Sequence, residues 1–222
     1  MRRELKWKWL FFFGGIAIMS LGISMIIKGK VLGVSPWDVL HIGLFKQIGF
    51  SIGSWSIITG LVIVTGASIY LKQWPKVATW LNMILCGVFI DGFSWLLPNT
   101  DIFIFEVLYF IFGLVVMCLG CAMYISPNLG AGPRDTLMIL IVEKFGGSIR
   151  RARFIMELSA VVLGWLLGGP VGIGTIIIVL STGSIIQPAL SFFRKLLEKQ
   201  ISEPEAEKLV SKHQSKTLAK ES

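Results

Sequence analysis

A block of sequence is written twice in this chain, and an internal copy limits the fold before any other feature does. The pattern L-G-x-x-P-x-D-x-L occupies Leu32, Gly33, Pro36, Asp38 and Leu40, and 97 positions later it returns at Leu129, Gly130, Pro133, Asp135 and Leu137. Ile42, Gly49, Ser51 and Ile52 align with Ile139, Gly146, Ser148 and Ile149, so nine of 21 ungapped positions are identical. Across one gap, Gly22 and Met25 fall on Gly120 and Met123. The expected organisation is a first unit over residues 1–98, a second over 99–193, and a polar tail over 194–222.

The medium follows from composition. With 54% hydrophobic and 15% charged residues and a mean hydropathy of +0.75, the chain is a polytopic membrane protein rather than a soluble domain. Cys86, Cys118 and Cys121 lie inside apolar runs. The C-x-x-C of Cys118 and Cys121 has no second ligand pair, so it reads as small helix residues and no metal site is expected. A net charge of +8 does not point to nucleic acid, because the basic residues sit ahead of the first apolar run, in loops between runs and in the tail.

Six apolar runs are read as spans: Leu10–Ile27, Ser54–Leu71, Ala78–Leu97, Ile102–Ile125, Phe154–Leu167 and Val171–Phe193. The first reads as a retained signal-anchor helix, having no small-residue cleavage site. The segments that carry the repeated motif, Pro36–Phe50 and Pro133–Phe145, are too short to cross about 30 Å of hydrocarbon. The tail is expected to begin helical and fray. If both termini are cytoplasmic, 18 of the 21 Lys and Arg face inward and only Lys28, Lys30 and Lys46 face outward. Three spans per unit make the second unit enter the membrane from the opposite face. The expected fold is an all-α membrane protein with six transmembrane helices as two inverted-topology repeats, each with one short non-spanning helix.

The repeated residues carry two readings. Pro36 and Pro133 suit the first helical position, and Asp38 and Asp135 then stand third, where a carboxylate caps free amides. Ser35 adds an S-x-x-D capping box. The functional alternative is that each short helix presents its amides and a carboxylate to a substrate or proton at membrane depth. Gly33 and Gly130 are expected to sit at close backbone approaches. Asp91 stands deep in its span with no basic neighbour one turn away, where Asp38 and His41 could approach it. Its repeat image is near Thr182. Arg134, Asp135, Arg150, Arg153 and Glu157 gather at the cytoplasmic edge, and Arg153 and Glu157, four apart, suit a helical ion pair.

These residues carry a resemblance. L-G-x-x-P-W-D-x-L at Leu32 to Leu40, F-I-D at Phe89 to Asp91, L-G-A-G-P-R-D-x-L at Leu129 to Leu137, and Gly174 and Thr175 followed by Gly183 resemble the YczE/YitT-type family of bacterial integral membrane proteins, over about residues 5 to 195. The resemblance implies a polytopic helical fold in a bacterial cell membrane and supplies no reaction.

Inverted repeats with interrupted or short helices are a design of secondary transporters. The leading expectation is a small transporter or permease-like protein whose substrate or proton pathway uses Asp38, Asp91, Asp135, Arg134, Glu157 and Thr182, with Gly33, Pro36, Gly130 and Pro133 as structural motif. The alternative is an accessory or regulatory membrane protein that docks a cytoplasmic partner. No enzymatic activity and no cofactor are expected. The expected partners are the lipid bilayer, a small-molecule substrate and a second copy of the chain, with no nucleic acid.

Overall fold

A computed structural model of the chain describes residues 2–72, 74–130, 132–146 and 149–218, except for the side chains of residues 2, 135, 139, 149, 150 and 203–218. Among the described residues there are eight α-helices and no strand: α1 (Arg2–Lys28), α2 (Pro36–Ile48), α3 (Ile52–Leu71), α4 (Val77–Leu96), α5 (Phe103–Ile125), α6 (Pro133–Phe145), α7 (Ile149–Leu166) and α8 (Ile173–Leu218). Five are long and apolar enough to cross a membrane, over Arg3–Lys28, Ile52–Leu71, Val77–Leu96, Phe103–Ile125 and Ile173–Ser202. The protein is an all-α membrane protein.

The sequence predicts six spans, and five helices meet the requirement. The difference lies in α7, whose 18 residues carry Arg151, Arg153 and Glu157 in their first half. Its apolar part from Phe154 measures about 20 Å at 1.5 Å per residue, short of a bilayer core. α8 continues past residue 194 without a break. α8 is one helix of 46 residues, about 69 Å long.

The packing centres on α1 against α5. Glycines let the two backbones meet: a side chain at Gly22 would strike Met117 and Gly113, and one at Gly120 would strike Met19. Phe12, Ile16, Ile26 and Cys118 are fully buried in the core around this pair. α4 lies against α1, and α8 against α5.

The two short helices, 13 residues and about 20 Å each, pack on helices of the opposite half. α2 runs alongside α7, with Trp37 clustered on Met156 and Ala160 and with Val39 and Leu40 against Gly164. Near the end of α2, Lys46 and Gln47 donate to the carbonyls of Gly168 (2.7 Å) and Leu167 (3.1 Å). α6 runs alongside α3 in the same sense, from Pro133 near Gly60 to Lys144, whose Nζ lies 5.4 Å from the Tyr70 ring centroid. Each short helix thus begins near the middle of its neighbour and ends near that neighbour's C-terminus. Both end on a repeated glycine of positive φ, Gly49 (90°) and Gly146 (69°), which explains those two identities.

Candidate functional site

Because each short helix starts beside the middle of its neighbour, their N-terminal ends converge. Pro36 and Pro133 open them as the sequence predicts. The convergence is direct: the Arg134 guanidinium, second residue of α6, lies 5.3 Å from the ring centroid of Trp37, second residue of α2. A cavity of about 300 Å³ lies there, with lining residues from every one of the eight helices.

The lining has two chemical parts. Polar groups come from His41, Ser56, Thr59, Asn82, Tyr124, Arg134, Arg153, Glu157 and Thr182. The remainder is rich in sulfur: Met19, Met83, Met117, Met138 and Met156 with Cys86 and Cys121, out of eight methionines and three cysteines in the whole chain. Methionine is unbranched and polarisable, so such a wall adapts to differently shaped apolar groups.

Charge in the lining is partly compensated. Arg153 Nε donates to Glu157 Oε1 at 2.8 Å, the pair expected from the i, i+4 spacing. Arg134 has no ion pair among the described residues. Asn82 is 5% exposed, and its Nδ2 has no hydrogen-bond partner among the described residues. Thr182 is buried and donates its hydroxyl to the Ile178 carbonyl. Asp135 and Arg150 lie outside the described side chains.

Asp38 is fully buried behind the cavity wall. The expected capping box is not formed. Ser35 is the N-cap of α2, yet its hydroxyl donates to Asp38 Oδ2 rather than meeting a backbone amide. The other oxygen, Oδ1, lies 3.7 Å from His41 Nδ1, and neither atom has a hydrogen-bond partner among the described residues. On its far side His41 Nε2 meets Thr59 Oγ1 at 2.9 Å, while that hydroxyl also donates to the Trp55 carbonyl at 2.8 Å. A chain of polar groups thereby leads from Ser35 through Asp38 and His41 to Thr59 on α3.

Asp91 does not join them. Its Oδ1 accepts from the Gly53 amide at 2.8 Å and its Oδ2 from the Ser51 hydroxyl, so it caps α3 from a neighbouring helix. Ser51 is itself the N-cap of α3, accepting from the Ser54 amide at 3.0 Å. Close contact between Gly53 and Gly87 brings α3 and α4 near enough for this cap. The sequence missed Asn82 and the Trp37–Arg134 contact. The substitution of Trp by Arg inside an otherwise repeated motif was the available signal for the second.

Residues 6–190 match the model of a family of unknown function, DUF6198. The chain belongs to that family. It is 44% identical over 190 residues to the uncharacterized membrane protein YczE of Bacillus subtilis, covering 86% of this chain and 88% of that one. An uncharacterized protein of Haemophilus influenzae is 33% identical over 183 residues, with 82% of each chain covered. The uncharacterized protein YyaS of Bacillus subtilis is 30% identical over 182 residues, covering 81% and 90%. The YczE-type resemblance in the repeated motif is thus borne out. No solved structure matches the chain.

Proposed function

We propose that the protein is a small secondary transporter of the cell membrane, built from two inverted repeats, α1–α4 and α5–α8, with both termini cytoplasmic and the central cavity as its substrate site. The observation that carries this is the exchange symmetry of the packing. α2 on α7 becomes α6 on α3 when the units are swapped, and α1 on α4 becomes α5 on α8. Residue pairs follow the same rule, since Gly22 meets Met117 and Gly120 meets Met19, positions 98 apart (120 − 22 and 117 − 19). Half-helices whose N-terminal ends meet at the repeat interface are the arrangement that secondary transporters use for their substrates.

In this reading α7 is the sixth span, its short apolar part shielded by α2 and its first turns facing the cavity rather than lipid. One departure from symmetry supports alternating access. α3 lies along α4 and is latched by Asp91, whereas α7 forms no comparable packing along α8 among the described residues. Closing one pair while the other parts would expose the cavity to each side in turn.

A single cysteine at Ser56, which lines the cavity, tests this in a background lacking Cys86, Cys118 and Cys121. Impermeant maleimide should label it in right-side-out and in inverted vesicles, whereas labelling from one side alone would overturn alternating access. A cysteine at Thr100, in the turn between the units, should label only from outside. The continuation of α8 as a helix to Leu218 favours a second reading, an accessory protein that docks a cytoplasmic partner. Ending the chain at residue 202 should leave transport intact and abolish docking.

A further inference from the structure

We infer that the cavity takes a small amphipathic organic anion, with its charged head at the meeting point of the two half-helix ends and its apolar body among the methionines. The inference deepens the transport reading and rests on it for the role of the cavity. Three independent features agree on the sign of the ligand. First, α6 presents its N-terminal end to the cavity through Gly132, Pro133 and Arg134, and its N-cap is a glycine with no side-chain acceptor for the free amides. A helix N-terminus carries partial positive charge and favours an anion. Second, Arg134 stands at that end without an ion pair among the described residues. Glu157, the carboxylate in the described lining, is engaged by Arg153. Third, Asn82 offers an amide nitrogen with no hydrogen-bond partner among the described residues, from a side chain that is 5% exposed, and such a buried donor calls for an acceptor.

The α2 end is buried in the protein, with Asp38 in its first turn accepting from the Ser35 hydroxyl, whereas Pro133 and Arg134 at the α6 end are half-buried at the cavity wall. Trp37 beneath Arg134 holds the guanidinium plane and leaves its edge donors free for a planar, two-oxygen acceptor such as a carboxylate. The apolar part follows from Met19, Met83 and Met117 in the lining, which suit a ring or short chain and not a second charge. A metal cation is disfavoured by the guanidinium, and no cluster of three or more His, Cys, Asp or Glu fit for one exists among the described residues.

The test uses the full chain in lipid nanodiscs and three probes that share a ring and differ in the head: phenylacetate, 2-phenylethanol and 2-phenylethylamine. Phenylacetate should raise the melting temperature saturably, and the alcohol and the amine should not. Arg134→Gln should weaken the phenylacetate effect at least about tenfold, while Arg134→Lys, which keeps the charge and guards against a folding artefact, should retain part of it. Asn82→Leu should weaken it without reversing the order of the probes. Equal shifts from all three probes, or an undiminished shift in Arg134→Gln, would overturn the inference. An equal shift from inorganic phosphate would overturn the amphipathic part. Phenylacetate binding without entry into proteoliposomes would sink the transport reading and leave the anion site standing; uptake of the amine and not the acid would do the opposite.

Discussion

α2 and α6 carry the same motif and have the same length, yet one is built as a buried strut and the other as the working face of a cavity. In α2, seven of 13 residues are buried, including Trp37, Asp38 and His41, with Asp38 bonded to Ser35 and His41 to Thr59. In α6 the described side chains are only half-buried or exposed, and the residue aligned with Trp37 is Arg134. Identical backbone grammar therefore fixes where a half-helix starts and stops. The positions that differ, Trp37 against Arg134 first among them, decide whether its N-terminal end is buried in the protein or set at the wall of a cavity.

The largest expected effect comes from the glycine that precedes each half-helix. Gly33 has φ 101°, and a Cβ there would lie 2.6 Å from both the Gly172 nitrogen and Thr175 Oγ1. Backbone in that region is essentially reserved for glycine and costs other residues about 1–3 kcal/mol before any clash. Around Gly130 the nearest atoms are 3.1 Å from such a Cβ, on Ala78, so a methyl needs only a small shift. Gly33→Ala should sharply reduce the yield of monodisperse protein, and Gly130→Ala should lower the melting temperature by a few degrees at most. Equal effects would mean that the chain is packed equally tightly ahead of both half-helices and would break the comparison.

Next in size is Asp38. Asp38→Ala removes the acceptor of the Ser35 hydroxyl and the charge beside His41, inside the protein, and such orphaned groups cost about 1–3 kcal/mol. The loss should appear as a lower melting temperature, with the phenylacetate preference kept. Arg134→Gln should behave oppositely, with little thermal change and loss of the preference. If Asp38→Ala left stability untouched and abolished binding, α2 would be a ligand-binding end as well.

Asp91→Ala comes third. Loss of an N-terminal cap costs about 0.5–2 kcal/mol, so a moderate melting-temperature decrease is expected, with anion binding unchanged because Asp91 is absent from the cavity lining. If the α3–α4 latch helps close one face, labelling of the Ser56 cysteine from that side should also rise in this variant. Full activity at unchanged labelling would leave Asp91 a plain structural cap.

How much of this could be read from the sequence divides along physical lines. Periodic and positional information carried well: proline at the helix start and lengths too short to span both appeared in the structure within two residues of their expected bounds. Pairings between distant segments did not carry. Asp91 looked stranded because its partners, Ser51 and Gly53, lie on another helix and are reached only through the Gly53–Gly87 approach. Ser35 does occupy the N-cap position that local spacing allows, but its hydroxyl turns to the buried Asp38 carboxylate and accepts from no amide among the described residues. Asn82 gave no periodic signal, since its importance arises from the other helices that line the cavity rather than from its own.

The smallest effect concerns the first turns of α7 and tests whether its polar half is wet. Arg153 and Glu157 form an i, i+4 pair with side chains 48% and 15% exposed. In water such a pair is worth about 0.3–0.5 kcal/mol and is screened by salt. A double-mutant cycle of Arg153→Gln and Glu157→Gln, read by thermal denaturation in nanodiscs at low and high salt, should return a coupling of that size that fades as salt rises. The proposed placement, with this face of α7 turned to a water-filled cavity and its apolar face to α2 and lipid, requires that outcome. A coupling several times larger and insensitive to salt would place the pair in a dry, low-dielectric setting. The α7 entrance would then be sealed, and the difference between the two half-helices would lie in charge alone and not in access.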